Sequence, residues 1–210
     1  MKKGIYITSF IALGLIMSAC KGESESAAES IDNSQAACFY SYNEGATTFE
    51  WTAFKTNDKT PVKGGFNEIS VESEASDDPI AVLESITFSM KTSSVETNDE
   101  SRNGKVATFF FETINTATIE GKIKSIGKDG KAIVSVTMNG ITIDVKGDYT
   151  LKGGDFSFNS TIDVSSWNAL EGIKALNAEC NELHKGKDGV SKLWSEVDLS
   201  FTTSLSSDCD

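Results

Sequence analysis

Strict alternation of apolar and polar residues is the feature that most limits how this chain can fold. In Ile86-Thr87-Phe88-Ser89-Met90 every second side chain is apolar. A backbone with that period presents a single apolar face only when extended, so the segment reads as a half-buried strand. The same period places Phe49, Trp51 and Ala53 on one face of residues 47–55, and Ile141, Ile143 and Val145 on one face of 141–151. It places Phe156, Phe158, Ile162 and Val164 on one face of 155–164, and Val197, Leu199, Phe201 and Leu205 on one face of 194–205. Residues 62–71, 117–126 and 132–138 read as further strands, with Gly64-Gly65 marking a bulge or tight bend in the first of them. Lys128-Asp129-Gly130, Asn139-Gly140 and Gly153-Gly154 supply turns between strands, the second of them a turn or a bulge. Asp77-Asp78-Pro79 starts a short helical turn through Leu83. One clear helix is predicted over residues 168–183, capped by Ser165-Ser166 and ending at His184-Lys185-Gly186. Leu170, Ile173, Leu176 and Leu183 fall near helical spacing on it. About eight strands with an isolated helix before the last imply a closed antiparallel barrel or a sandwich, and alternation does not choose between them.

After the strand at residue 86 the chain turns polar over residues 94–104 and then reaches Phe109-Phe110-Phe111, its densest aromatic cluster. Thr97-Asn98 and the acids before Arg102 suit a capped turn or short helix. The three phenylalanines must cover something apolar.

Residues 1–19 have the three-part form of a secretory signal: Lys2 and Lys3, a mostly apolar run from Ile5 to Met17, then Ser18-Ala19 before Cys20. The run is too short to span a bilayer as a finished helix. Cysteine directly after the small pair matches a bacterial lipobox, so Cys20 is the expected lipidation site and the mature chain is expected to be tethered by acyl chains. Residues 20–37, rich in Ser, Ala and Glu after the cysteine, read as a flexible tether, and residues 38–210 as one domain. The expected location is the bacterial cell envelope, lipid-anchored at the periplasmic face or outer membrane. Without Lys2 and Lys3 the chain carries 17 basic and 31 acidic residues, a net of −14. Such a charge repels nucleic-acid phosphates and anionic headgroups alike, so membrane attachment rests on the acyl anchor and nucleic acid is not a partner.

The sequence offers little chemistry. A Ser-His-Asp hydrolase needs a histidine, and the single one, His184, sits where it would serve a helix C-terminus. Cys180 and His184 share a helix face at metal-ligand spacing, but no second Cys or His pair completes a shell. Acids are too abundant for any pair to signal glycosidase chemistry, and no phosphate-binding glycine loop is present. The chain reads as a non-enzyme without catalytic residues or metal.

Three segments resemble the YceI-like family of lipocalin-like, polyisoprenoid-binding bacterial barrels. Ser94-Val95-Glu96-Thr97-Asn98, Arg102-Asn103 and Phe109-Phe110 follow its Ser-x-Asp-Thr-x-Asn-x-x-Arg-Asp pattern with paired Phe after it. Glu96 and Asn103 depart from the two Asp positions. Residues 49–55 with Val62-Lys63-Gly64-Gly65-Phe66 resemble its opening strand pair, and residues 136–142 its Leu-Thr-x-x-Gly-Val-Thr turn. The helix carrying Cys180 and His184 looks like an insertion. The resemblance implies an all-β, closed antiparallel lipocalin-like barrel of about eight strands with one helix inserted before the last strand. It also implies the ligand: an isoprenoid quinone, polyprenyl phosphate or other long-chain apolar lipid, with no other cofactor. Ligand-lining candidates are Phe49, Trp51, Phe88, Met90, Phe110, Ile143, Phe156, Phe158 and Phe201, with Arg102 and Lys63 as candidates near a headgroup. The alternative is a barrel filled by these same side chains, acting as a structural or partner-binding envelope domain. Of Cys38, Cys180 and Cys209, two are expected to pair. Adjacency of first and last barrel strands favours Cys38–Cys209, with Cys38–Cys180 left open.

Overall fold

The structure, a computed structural model, describes residues 38–208. The leader, Cys20, the tether and Cys209 lie outside those residues. In chain order the described elements are β1 (Tyr40–Ser41), β2 (Thr48–Lys55), β3 (Thr60–Phe66), β4 (Ile69–Glu72), α1 (Pro79–Ser85), β5 (Thr87–Lys91), β6 (Val95–Glu96) and α2 (Glu100–Lys105). There follow β7 (Thr118–Ile126), β8 (Lys131–Met138), β9 (Ile141–Lys152), β10 (Asp155–Asp163), α3 (Leu170–Glu179), β11 (Leu193–Ser204) and β12 (Ser206–Ser207).

Ten strands form one antiparallel sheet in the order β4-β5-β7-β8-β9-β10-β11-β2-β3-β6, while β1 pairs with β12. The sheet curls into a half-barrel, which corrects the expected closed barrel of about eight strands. Its end strands β4 and β6 share no ladder, and the break has a local cause. The segment predicted as one strand over 62–71 kinks at Asn67-Glu68, and a single 3₁₀ turn, Thr92–Ser94, interrupts the partner segment. Across this seam Asn67 N donates to Ser94 O at 2.9 Å and Lys91 N to Glu68 O at 3.0 Å. Asn139 and Gly140, with φ of 49° and 69°, make a two-residue hairpin between β8 and β9 rather than a bulge.

Helix α1 begins as its sequence suggests: Asp78 caps Ile80 N at 2.8 Å, Pro79 follows, and Val82 and Leu83 are buried. Helix α3 is shorter than expected, and Ser165-Ser166 do not cap it. Those serines belong to a 3₁₀ turn whose own cap is Asp163, and left-handed Asn168 redirects the chain before α3. Leu170 and Leu183, expected on the apolar face, are exposed. Ile173 and Leu176 do turn inward, and Gly172 lets α3 approach Phe110, whose ring lies 2.8 Å from where a Cβ would stand.

The inner face of the sheet shows one repeated packing device. The Trp51 ring lies across Gly64, its cross-strand partner, and Phe88 lies across Gly121 in the same way. Phe158 lies diagonally across Gly147. Ideal Cβ atoms at these glycines would stand 2.3, 2.3 and 2.5 Å from the three rings. A glycine thus gives each aromatic a slot against the sheet, so the ring lies along the wall instead of projecting across the lumen. Gly64 is one such slot, not the predicted bulge.

Gly121→Ala should cost about 1–3 kcal/mol in urea unfolding, because the new Cβ would meet both Phe88 and the Ser135 carbonyl, the latter at 2.5 Å. Gly104→Ala is the control: nothing lies within 4 Å in α2, and helix propensity predicts a gain of roughly 0.5–1 kcal/mol.

Candidate functional site: a two-chamber apolar tunnel

Two cavities lie inside the half-barrel, one of about 290 Å³ and one of about 110 Å³. Phe49, Ile119, Met138, Ile162 and Leu199 line both, forming a waist between two chambers. Together the chambers offer about 400 Å³, within the size of small-ligand sites.

The smaller chamber is enclosed by the sheet. Phe88, Met90, Phe156, Phe158 and Phe201 line it, with Thr47 its single polar lining residue. Phe156 stacks on Tyr149 at 5.9 Å and leans on Phe201 at 6.1 Å, fixing the wall. The larger chamber lies between the sheet and the helices and is lined by Trp51 and Phe110 among others. After α2 the chain widens into a π-helical turn, Val106–Glu112, in which successive side chains diverge less than in an α-helix. Phe110 and Phe111 are accordingly both buried, edge to face at 5.0 Å, and Phe109 half-buried.

Of the eleven candidate residues, nine border one chamber or both: eight of the nine lining candidates, and Arg102. Ile143 does not. It is half-buried against the core, one strand behind Val136, and lines neither chamber. Lys63 is corrected as well: its side chain is largely exposed and salt-bridged to Glu50 at 2.7 Å, and it lines neither chamber. Its place at the chamber is taken by Lys55 and Lys105, which join Arg102. Sequence reasoning missed these two, and also missed that α3 supplies part of the wall through Ile173, Leu176 and Cys180. The available signal was the helix's own apolar spacing, which requires a partner surface.

Two polar networks flank the larger chamber. In the first, the Ser-to-Arg segment folds on itself. Asn103 Oδ1 accepts from Thr97 N at 2.8 Å and Thr97 Oγ1 at 2.6 Å, while Asn103 Nδ2 donates to Glu96 Oε1 at 3.1 Å. Asp99 caps Arg102 N at 3.0 Å and pairs with its guanidinium at 3.3 Å, and Arg102 Nη1 donates to Thr97 O. The Asn103 amide and then the Asn98 N–H hold the Glu96 carboxyl below its usual range. The two departures from the family pattern thus complement each other, since an acid at 103 would face Glu96 without a proton to donate.

In the second, His184 is buried at the end of the 3₁₀ turn after α3, its Nδ1 2.9 Å from Asn177 Oδ1. Burial first, then the charges of Lys55 and Lys105, push its pKa down to about 4. Cys180 carries a free, buried thiol whose pKa is raised chiefly by burial. Cys180 is therefore excluded from the disulfide pairings left open by sequence. Among the described residues no cluster of three or more His, Cys, Asp or Glu forms a metal site.

A sequence profile of the YceI-like domain matches residues 31–205. The fold is similar to a polyisoprenoid binding domain from Saccharophagus degradans implicated in plant cell wall breakdown, at 13% identity and TM-score 0.54 over 80% of this chain and 97% of the other. It is similar also to BcnA of Burkholderia cenocepacia, at 16% identity and TM-score 0.53 over 79% and 99%. No curated protein matches the chain.

Neutral His184 sets a pH dependence. Its folded pKa lies below the ordinary 6.5, so its contribution is complete above about 6.5 and is lost as pH falls toward about 4. Unfolding free energy should drop across that window by on the order of 3 kcal/mol, and His184→Gln should flatten the drop. Asn103→Asp should lower Tm at neutral pH, with the deficit shrinking as acid protonates the facing carboxyls.

Proposed function

The chain belongs to the YceI-like family, and from that premise we propose that it binds a long-chain, isoprenoid-like lipid in its tunnel, as a carrier or sequestering protein of the bacterial cell envelope. The observation that carries this reading is the open pair of chambers where a filled core was the alternative. Rings that could have interdigitated lie along the wall, and burial of each chain methylene against them contributes about 0.8 kcal/mol without any polar partner. The described relative from Saccharophagus degradans is a polyisoprenoid binding domain, which agrees with this chemistry. Lys55, Arg102 and Lys105 border only the larger chamber, which supports a reading with the polar end of the lipid there and its tail in the smaller one. No catalytic step is part of the proposal.

The envelope location rests on sequence: the secretory leader and a lipidated Cys20. A Cys38–Cys209 disulfide belongs to the same proposal. The β1–β12 ladder pairs Tyr40 with Ser207, and Phe39 N donates to Asp208 Oδ1 at 2.6 Å, a register that leads to these two cysteines. Closing so long a loop would stabilise the domain by roughly 2–5 kcal/mol.

Native mass spectrometry with organic extraction, on the mature protein exported in a quinone-containing bacterium, tests the reading. A bound isoprenoid-type mass is expected. Ala53→Trp, which fills the larger chamber from β2, should abolish it while circular dichroism stays unchanged. A protein that is empty as isolated and stays empty when offered polyprenyl lipids would return the tunnel to a structural role.

A further inference from the structure

The waist between the chambers is made by five side chains that differ in their freedom to move. Phe49 is stacked on Phe66 at 6.1 Å, and Phe66 in turn packs on Phe111 at 5.9 Å, so that ring is braced. Ile119 and Ile162 are β-branched and sit within β7 and β10, where each is paired on a neighbouring strand. Leu199 lies within β11, paired with Trp51 on one side and Ser160 on the other. Met138 is different. It is the last residue of β8, directly before the Asn139-Gly140 turn, and is paired with Ile141 across that turn. It is unbranched, with three rotatable bonds and a polarizable thioether, and 5% exposed.

We propose that Met138 is the specificity-determining residue of the tunnel: a swinging side chain at the waist that sorts ligands by the length of their apolar chain. The inference rests on the lipid-binding reading above. A short chain is satisfied by the larger chamber and does not pass the waist. A long chain must pass it, because only the smaller chamber beyond can take the remaining methylenes out of water. The four stiffer neighbours hold the outline of the waist while Met138 shifts rotamer to admit the chain. The ligand class this selects is a single flexible chain, thin enough to thread between Phe49, Ile162 and Leu199.

The experiment uses the mature protein and three prenols of rising length: geraniol, farnesol and geranylgeraniol. Binding is read from the fluorescence of Trp51 and Trp194, which line the larger chamber. Affinity should rise at least tenfold from the shortest to the longest ligand. Met138→Phe should weaken geranylgeraniol at least tenfold more than it weakens geraniol. Met138→Ala should keep or strengthen the longest ligand. Ile119→Phe, narrowing the waist from another strand, should reproduce the length-selective loss if Met138→Phe fails to fold. Equal loss for all three prenols, or no loss for any, in folded waist variants would overturn the gate and leave the lipid reading standing. Failure of all three prenols to bind the unmodified protein would overturn both.

Discussion

Aromatic rings lying flat on glycines are the constraint on which the rest of this structure depends. A sheet whose inner face carries Phe49, Trp51, Phe88, Phe156, Phe158 and Phe201 has enough volume to fill its own interior. It stays open because Gly64, Gly121 and Gly147 remove side chains where a ring can lie down. The aromatics are then half or fully buried against backbone, and their remaining faces form a smooth apolar wall. A tunnel is the consequence of that choice on neighbouring strands, not of a shortage of bulky residues.

The helical side of the tunnel depends on a second, polar constraint. Glu96, Thr97, Asp99, Arg102 and Asn103 satisfy one another's donors and acceptors and so fix α2 against β6. With α2 placed, the π-helical turn delivers Phe110 and Phe111 inward, and α3 rests on Phe110 through Gly172. The same arrangement brings Lys55, Arg102 and Lys105 to one chamber of a protein whose net charge is −12. Arg102 and Lys105 are partly neutralised by Asp99 and Glu179, while Lys55 donates to the Leu183 carbonyl. The charges of Lys55 and Lys105 also help, after burial itself, to keep His184 uncharged.

Much of this was legible from residues alone. Alternation located the strands and the faces of Phe88, Phe156, Phe158 and Phe201, because a period of two leaves no other way to hide an apolar stripe. Asn139-Gly140 and Gly153-Gly154 announced their turns. What misled was context. Lys63 stands beside the glycines of the signature yet points outward to Glu50. Ser165-Ser166 have the chemistry of a cap, but Asp163 two residues earlier takes that role for its own turn. Ile143 has the right parity for the lumen and still lines neither chamber.

By itself the sequence determined an antiparallel β architecture, an acidic surface, an aromatic interior and the family to which the chain belongs. The first three follow from local periodicity and composition, which act over a few residues at a time; the family follows from the resemblance of its motifs. Only the tertiary structure decided that the sheet curls without closing, that the aromatics line instead of filling, and that a waist divides the interior. Each of these turns on how residues far apart in the chain approach one another: a kink at Asn67 opposite a turn at Thr92, a ring at 51 on a glycine at 64, a methionine at 138 and a leucine at 199 lining the same two chambers. Parity tells which side of a strand a residue occupies. It carries no information about how far across the barrel the opposite wall stands.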